Sequence, residues 1–312
     1  MRPRFRPHAR GVDFSTYAAF LPPSLRGEPL AAPEPTWWPW RGRQVHIARA
    51  TRPEASARIL AVHGAGGHAG LVWPFAALAA CAGIDAAAVD LPLYGDTHEP
   101  DPRGVRYRDW VDLLTDLVRA ETDADPRPLI LFGASIGGLL AYEAAARSGR
   151  VAHVLATCLL DPADPAARRA AARWSWTGAA APTLLGALGP AARLRVPIRW
   201  LADMANMSAD PAVSRACATD PRGGGIRVPL GFLADYFTFE HTRPQHYTAA
   251  PVTLVHPAAD RWTPPELSLR FLDRIAAEHR AVLLANCGHF PLEEPGVHVL
   301  RETIEAVVAA TT

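Results

Sequence analysis

Residues 133–137 read Gly-Ala-Ser-Ile-Gly, so Ser135 stands between two glycines in the spacing G-x-S-x-G. A serine at the tip of a very tight turn between a strand and a helix can act as a nucleophile. The turn needs glycines because the residues two positions before and after the serine come too close together for larger side chains. The helix that follows would direct its first N–H groups toward a developing oxyanion. The spacing therefore predicts covalent catalysis by Ser135.

The elements on either side of this turn support the prediction. Residues 129–132 form a short apolar run typical of a buried strand, and an Ala- and Leu-rich stretch typical of a helix follows Ser135. The simpler interpretation is a glycine-rich turn with a bystander serine. Because a strand precedes the motif and a helix follows it, we favour the catalytic interpretation.

Ser135 needs a general base, and an imidazole oriented by a carboxylate can serve. When such a triad is built on a parallel sheet, one known chain order is Ser, then Asp or Glu, then His, each after a strand. Of the twelve histidines, only His279, His289 and His298 follow the plausible acids. We expect His279 to close a helix and His298 to lie inside one. His289, in a loop after a strand, is therefore the predicted base.

Two aspartates compete for the role of the acid. Asp260 follows a predicted strand at residues 251–255, and Asp161 ends a predicted strand at residues 151–160. Asp161 precedes a proline in an ordinary helix-capping sequence, whereas Asp260 lies several residues ahead of its helix. We therefore favour Asp260 and keep Asp161 as the alternative, because the position after the earlier strand can reach the same imidazole.

A glycine-rich loop, residues 63–70, follows a predicted strand at 58–62 and allows two interpretations. Gly64-x-Gly66-x-x-Ala69, with Asp90 at the end of the next strand, fits a dinucleotide fingerprint and a remote alternative function as an NAD(P)-dependent oxidoreductase. The other interpretation is an oxyanion loop, whose backbone N–H points at a substrate carbonyl. The dinucleotide interpretation leaves Ser135 unexplained, so we favour the oxyanion loop. We expect His63 to brace this loop and His68 to line the pocket.

The remaining elements alternate strand and helix, which predicts an α/β fold with a mostly parallel eight-stranded sheet flanked by helices. We expect residues 1–35 to form an N-terminal leader packed along the surface. Residues 36–160 and 249–312 would form the core, beginning with a hairpin of strands at 37–40 and 44–48. The alternation stops between residues 161 and 248, which predicts a helical cap inserted over the site. The further predicted core strands cover residues 85–89 and 281–285.

Aromatic and methionine side chains are frequent in the predicted cap and favour a hydrophobic substrate. Each of them alone is more typical of a small core than of a substrate wall. The predicted substrate-binding residues are His68, Trp174, Trp200, Met204, Phe232 and Phe237.

Composition excludes several classes of function. The net charge of the 312 residues is +1, which gives no basis for binding nucleic acid. All 32 basic residues are arginine, so no mechanism that needs a lysine is available. Four scattered cysteines, no signal peptide and no apolar stretch long enough for a membrane span lead us to expect a cytoplasmic protein. No ligand motif predicts a metal or another cofactor, and the oligomeric state is left open, a dimer included.

Together these motifs resemble the α/β-hydrolase superfamily, and within it the monoacylglycerol lipase/lysophospholipase-like serine esterases. The resemblance rests on residues 63–66, residues 133–138, the turn at Asp260 and residues 286–290, and covers about residues 45–305. It implies that the backbone N–H groups of Ala65 and Ile136 form the oxyanion hole and that the cap covers an acyl pocket. Many relatives carry Gly-His-Gly-x-Ser after the fourth strand, where this chain has Leu-Tyr-Gly-Asp-Thr.

The predicted function is hydrolysis of a carboxylic ester with a hydrophobic acyl group, through an acyl-enzyme on Ser135. A thioesterase or an acyltransferase would use the same residues and differ only in the leaving group or the acceptor. A lyase, a cyclase or a binding protein on the same fold is a further alternative.

Overall fold

The computed structural model describes residues 14–26, 32–171 and 189–312. An eight-stranded sheet in the order β1-β2-β4-β3-β5-β6-β9-β10 forms the centre of the molecule. Only β2 is reversed: it pairs antiparallel with β1 on one side and with β4 on the other, and all the other pairs of the sheet are parallel. This confirms the predicted fold class. The strands are β1 (Glu34–Trp40), β2 (Arg43–Ala50), β3 (Arg58–Val62), β4 (Asp85–Val89), β5 (Leu129–Gly133), β6 (His153–Ala156), β9 (Val252–Pro257) and β10 (His279–Leu284).

Helices cover both faces of this sheet, which explains why its central strands are short apolar runs without alternation. Every residue of β3, β4 and β5 is buried. The helices of the described chain are α1 (Ser15–Ala18), α2 (Pro23–Arg26), α3 (Ala69–Cys81), α4 (Tyr107–Ala124), α5 (Ile136–Ser148), α6 (Pro165–Ala171), α7 (Pro211–Thr219), α8 (Leu230–Thr238), α9 (Pro265–Leu272) and α10 (Gly296–Thr311). None of the described helices is long and apolar enough to cross a membrane.

The N-terminal segment contributes to the main core. Tyr17, Leu21 and Leu25 are buried in the same apolar cluster as the central strands, and α1 packs against α3. The sequence predicts a leader that runs along the surface. In the described part of this segment, these three side chains are large, mostly apolar and spaced by four residues, so that one face packs against the core while Ser15, Thr16 and Ser24 stay exposed.

Between β6 and β9 the chain forms the segment predicted as a helical cap. Its described part contains α6, α7 and α8 with short 3₁₀ turns, but also a two-stranded antiparallel sheet of β7 (Arg195–Pro197) and β8 (Arg227–Pro229). The described part of this segment is therefore mixed rather than purely helical. Trp174, one of the predicted substrate-binding residues, lies outside the described residues.

Two other sequence expectations need correction. The strand predicted at residues 151–160 covers only His153–Ala156. The amide of Thr157 is the last one that bonds to β5, and the amide of Leu159 bonds to the Ser268 hydroxyl instead. His279 begins β10 rather than closing a helix, since the parallel ladder with β9 starts there.

Candidate active site

Ser135 occupies a strained turn between β5 and α5. Its φ of 54° and ψ of −127° lie outside the regions that a serine normally adopts. A Cβ at Gly133 would lie 2.2 Å from the carbonyl oxygen of Gly137, and one at Gly137 would lie 2.4 Å from that of Val62. The two glycines of the motif are therefore required by backbone contact, and the turn has the geometry of a nucleophile elbow.

Asp260 and His289 meet after β9 and β10. The Nδ1 atom of His289 donates to Oδ2 of Asp260 at 2.7 Å, and both side chains are buried. The Thr263 hydroxyl also donates to Oδ2, at 2.7 Å. The amides of Trp262 and Thr263 donate to Oδ1, at 2.8 and 2.9 Å. Four donors therefore fix the carboxylate, and the carboxylate fixes the tautomer and the plane of the imidazole.

These contacts decide the charge of the acid. Burial alone would raise the pKa of Asp260, but attraction to His289 and the hydrogen bonds from His289 and Thr263 lower it to about 2. Asp260 is therefore a carboxylate at neutral pH, and it can stabilise a positive charge on His289 during a reaction.

The second ring nitrogen of His289 is available for chemistry. Within the described chain, Nε2 is buried and has no hydrogen-bond partner. His289 and Ser135 line the same cavity, whose volume of about 20 Å³ is enough for one water molecule. The Trp262 ring packs on the imidazole, with centroids 4.5 Å apart. An imidazole held in this way can accept a proton from a hydroxyl in the cavity.

The glycine loop after β3 packs directly on the elbow. A Cβ at Gly64 would lie 2.8 Å from the Cβ of Ser135 and 3.3 Å from the amide nitrogen of Ile136. Ala65 lines the cavity, and Ile136 is the first residue of α5. Within the described residues neither amide donates to a protein acceptor. Two N–H groups are therefore free for a ligand beside Ser135.

His63 braces this loop, as the sequence predicts. Its Nδ1 donates to the carbonyl oxygen of Gly64 at 2.8 Å, and its Nε2 accepts from the amide of Leu91 at 3.0 Å. Burial lowers the pKa of His63 to about 4, so the ring is neutral at pH 7. Both of its nitrogens are occupied, so it is not a second base.

The surroundings of Asp90 argue against a dinucleotide site. Its oxygens accept hydrogen bonds from the amide of Ala69 at 2.6 Å, the amide of Asp96 at 2.8 Å and Nδ1 of His46 at 2.6 Å. The side chain is fully buried. A ribose hydroxyl therefore has no access to this carboxylate. The oxidoreductase interpretation needs Asp90 to bind the ribose, so this geometry argues against it.

Asp161, the alternative acid, has local partners. Its Oδ1 accepts from the amide of Ala163 at 2.8 Å, and Arg274 lies 3.8 Å from its Oδ2. The side chain thus shapes the turn before α6, and the imidazole of His289 is bonded to Asp260 instead.

The described residues predicted to bind substrate lie outside the cavity at Ser135. Phe232 packs on Trp110 with ring centroids 4.7 Å apart, Phe237 packs on Tyr236 at 5.1 Å, and His68 bonds to Asp220. Trp200, 54% exposed, and Met204 line a separate outer groove of about 450 Å³.

Other apolar side chains form the walls of the cavity, and sequence reasoning missed them. They are Leu71, Met207, Trp262, Phe290 and Pro291. Trp262 lies two residues after Asp260 and Phe290 directly follows His289, so adjacency to those predicted positions could have identified them. Met207 comes from the cap and carries no local signal. The described residues contain no group of three or more His, Cys, Asp or Glu side chains placed to hold a metal ion.

Comparison with known proteins identifies the family and the fold. The model of a family described as alpha/beta hydrolase matches residues 59–299. No curated protein matches the chain. Among solved structures, a monoacylglycerol lipase from Paleococcus ferrophilus is 22% identical, with a TM-score of 0.65 over 85% of this chain and 98% of the other. A soluble variant of monoglyceride lipase from Saccharomyces cerevisiae, in complex with a substrate analogue, is 18% identical, with a TM-score of 0.72 over 90% and 97%. A thermophilic esterase from Thermogutta terrifontis is 17% identical, with a TM-score of 0.63 over 90% and 100%. At these identities the likeness concerns the fold.

Proposed function

The chain belongs to the α/β hydrolase family, and from that premise we propose that it is a serine hydrolase that cleaves a carboxylic ester with a hydrophobic acyl group. One observation carries the proposal. The buried Asp260–His289 pair leaves Nε2 of the imidazole without a protein partner in the described chain, beside a cavity that Ser135 lines from a strained turn.

In the proposed first half-reaction, Nε2 of His289 takes the proton of the Ser135 hydroxyl while Oγ attacks the ester carbonyl carbon. The carbonyl oxygen becomes an oxyanion and accepts hydrogen bonds from the amides of Ala65 and Ile136. Asp260, ionised at neutral pH, stabilises the imidazolium. The imidazolium then donates its proton to the leaving alkoxide oxygen, and an acyl-enzyme remains on Ser135.

In the second half-reaction, Nε2 removes a proton from a water molecule, which attacks the acyl carbonyl carbon. The tetrahedral intermediate uses the same two amides, and its collapse breaks the bond to Oγ. The proton returns from His289 to Ser135, and the carboxylic acid leaves. None of these steps requires a metal ion or a redox group.

The walls of the cavity support the substrate class. Its cap-side and core-side residues, among them Met207, Trp262 and Phe290, are apolar and would contact an acyl chain rather than a sugar or a phosphate. We infer that the segment between β6 and β9 acts as a cap, since Met207 brings part of it to the site. Two of the similar structures are monoacylglycerol lipases, which favours a fatty acyl ester.

The test is turnover of p-nitrophenyl acyl esters of increasing chain length. Ser135→Ala should lower kcat by at least about 10⁴-fold, because removal of the nucleophile leaves only binding and the oxyanion hole. Ser148→Ala, at the far end of the same helix, should keep the wild-type rate. A Ser135→Ala enzyme as active as wild type would contradict the proposal. A preference for acyl thioesters over oxygen esters would keep the acyl-enzyme and change the leaving group.

A further inference from the structure

A buried polar cluster joins three distant parts of the chain next to the glycine loop. Oδ2 of Asp220, in the turn after α7, accepts from the Tyr17 hydroxyl at 2.8 Å and from Nε2 of His68 at 2.8 Å. Oδ1 accepts from the amide of Arg222 at 2.8 Å. Tyr17 belongs to the N-terminal segment, Asp220 to the cap, and His68 to the loop that carries Ala65. We call Tyr17, His68 and Asp220 the clasp.

The hydrogen bonds assign the protons within the clasp. Nδ1 of His68 accepts from the amide of Gly70 at 3.1 Å and so caps α3, which leaves the ring proton on Nε2, pointing at Asp220. Burial raises the pKa of Asp220, but the bonds from His68, Arg222 and Tyr17 outweigh it and lower this pKa to about 2. The clasp therefore holds one partly buried negative charge shared by two side-chain donors.

The turn that begins at Asp220 lies in close contact with the glycine loop. A Cβ at Gly223 would lie 2.6 Å from the carbonyl oxygen of Gly66 and 3.3 Å from Cδ2 of His68. A Cβ at Gly66 would lie 2.2 Å from Cε of Met204 and 3.7 Å from Cα of Gly224. No space separates the cap from the residue that follows Ala65. A displacement of Asp220 would therefore be transmitted to the Ala65 amide.

Tyr17 also reaches the other side of the site. Its ring makes edge contacts with His68, at 5.9 Å between centroids, and with Phe290, at 6.3 Å. Phe290 directly follows the predicted base, and its amide donates to the carbonyl oxygen of Met207 in the cap, at 2.7 Å. One tyrosine of the N-terminal segment thus touches both the oxyanion loop and the loop of His289.

We propose that the clasp holds the cap turn against the oxyanion loop and that Tyr17, through Asp220 and His68, is a positioning residue for the Ala65 amide. This inference rests on the proposed ester hydrolysis for its catalytic consequence, and on the hydrogen bonds alone for its structural one. Without the Tyr17 hydroxyl, the partly buried carboxylate of Asp220 loses one of its donors, and the cap turn opens more often to regain one from water.

The first experiment measures hydrogen exchange and needs no substrate. Tyr17→Phe, which keeps the ring and removes the hydroxyl, should raise exchange about tenfold at the amides of Gly70, Gly223 and Gly225, because a hydrogen bond to a charged group is lost. Exchange in β5 and α5 should not change. Ser24→Ala is the matched control: it removes another hydroxyl of the same segment, which bonds to Glu294 and His298 and not to the clasp. Unchanged exchange in Tyr17→Phe would overturn the clasp.

The second experiment asks whether Tyr17 positions the Ala65 amide for catalysis or only stabilises the structure. Tyr17→Phe should lower kcat for p-nitrophenyl esters about tenfold and change KM less than about twofold, since a misplaced oxyanion donor affects the transition state and not binding of the ester. Asp220→Asn, which keeps the shape of the acceptor and removes its charge, should give the same split and serves if Tyr17→Phe does not fold.

The outcomes of the two experiments are distinguishable. Faster exchange with an unchanged kcat would overturn the positioning role and leave a structural contact. A wild-type enzyme without esterase activity would refute the proposed function, while the exchange data would still decide the clasp.

Discussion

At the scale of single residues, the environment of Asp260 determines what His289 can do. The carboxylate receives four hydrogen bonds and stays ionised, so the imidazole is fixed in the tautomer that leaves Nε2 unprotonated. An asparagine at this position would turn either its oxygen or its NH₂ group toward His289, and in the second case it would favour the opposite tautomer.

We therefore expect Asp260→Asn to lower kcat by about 10³- to 10⁴-fold while the fold is kept, because an orienting carboxylate contributes on that order in serine hydrolysis. The measurement is steady-state turnover of p-nitrophenyl butyrate. Asp161→Asn, the alternative acid, is the control and should stay within about twofold of wild type. A large loss in Asp161→Asn with none in Asp260→Asn would assign the role to the other carboxylate.

The same carboxylate makes stability depend on pH in the acid range. The pKa of Asp260 in the folded protein, about 2, lies below its ordinary value of 3.8. Its ionised form therefore stabilises the fold above about pH 4, and this contribution is lost as the pH falls toward 2. A shift of this size corresponds to about 2 kcal/mol.

Urea unfolding of wild type and Asp260→Asn at pH values between about 2 and 5 tests this expectation. This pH range covers both the lowered and the ordinary pKa of Asp260. The stability of wild type should fall by about 2 kcal/mol more than that of Asp260→Asn over this range. Parallel curves for the two proteins would mean that the folded carboxylate is not stabilised in its ionised form.

At the scale of elements, the strand–turn–helix unit of β5 and α5 converts backbone geometry into chemistry. The turn is tight because two glycines let β5, the start of α5 and the end of β3 approach each other at backbone distance. Because of this close approach, Ser135 lines the cavity and the first amide of α5 directly follows Ser135.

Gly133→Ala should therefore destabilise the protein by about 1–3 kcal/mol and abolish esterase activity, because its Cβ would lie 2.2 Å from a backbone oxygen. Gly149→Ala provides the control at the other end of α5. It has φ of +65° and open space around it, so alanine costs only about 1 kcal/mol of backbone strain. Thermal unfolding and ester turnover of both variants are the measurements. Equal activity of the two alanine variants would contradict the steric account of the turn.

At the scale of the whole molecule, the proposed cap and the core meet over a small cavity at Ser135. Met207 from the cap and Leu71, Trp262 and Phe290 from the core surround a space of about 20 Å³. The outer groove at Trp200 and Met204 is separate from it. An acyl chain must therefore displace part of this wall, and the size of the wall residues should set the preferred chain length.

Met207→Ala should shift the preferred p-nitrophenyl ester toward longer acyl chains by several carbons, because it removes one apolar wall without touching the predicted triad. A chain-length series of kcat/KM for wild type and variant is the measurement. Leu194→Ala, which removes an exposed apolar side chain of the same cap, should leave the preference unchanged. An identical preference in Met207→Ala and wild type would show that the acyl group lies elsewhere.

Much of this arrangement could be predicted from the sequence because its signals are local. A few neighbouring residues are enough to recognise each of these features: the glycines around Ser135, the apolar runs of β3 and β5, and the loops after β9 and β10. Chain order, together with their positions in loops after strands, predicts the pairing of Asp260 with His289, and the structure places their side chains 2.7 Å apart. The β-strand pattern was sufficient for the fold class because parallel strands with short connections allow few topologies.

The rest depends on contacts between distant residues that leave no local pattern. Nothing near Tyr17 indicates a bond to Asp220, and nothing near Met207 indicates a place in the cavity wall. The cap sheet of β7 and β8 consists of two three-residue strands, too short for a periodic signal. The sequence predicts that His68 lines the pocket. In the structure its ring accepts a hydrogen bond at the N-terminus of α3 and donates one to Asp220.

The most direct test of the central claim is to trap the acyl-enzyme. Wild-type protein mixed with a p-nitrophenyl ester, quenched in acid within milliseconds and digested, should yield a peptide whose mass has increased by one acyl group at Ser135. His289→Ala should show little of this adduct, and Ser135→Ala none. Turnover of the ester by wild type without any adduct at Ser135, or with the acyl group on another residue, would contradict the account.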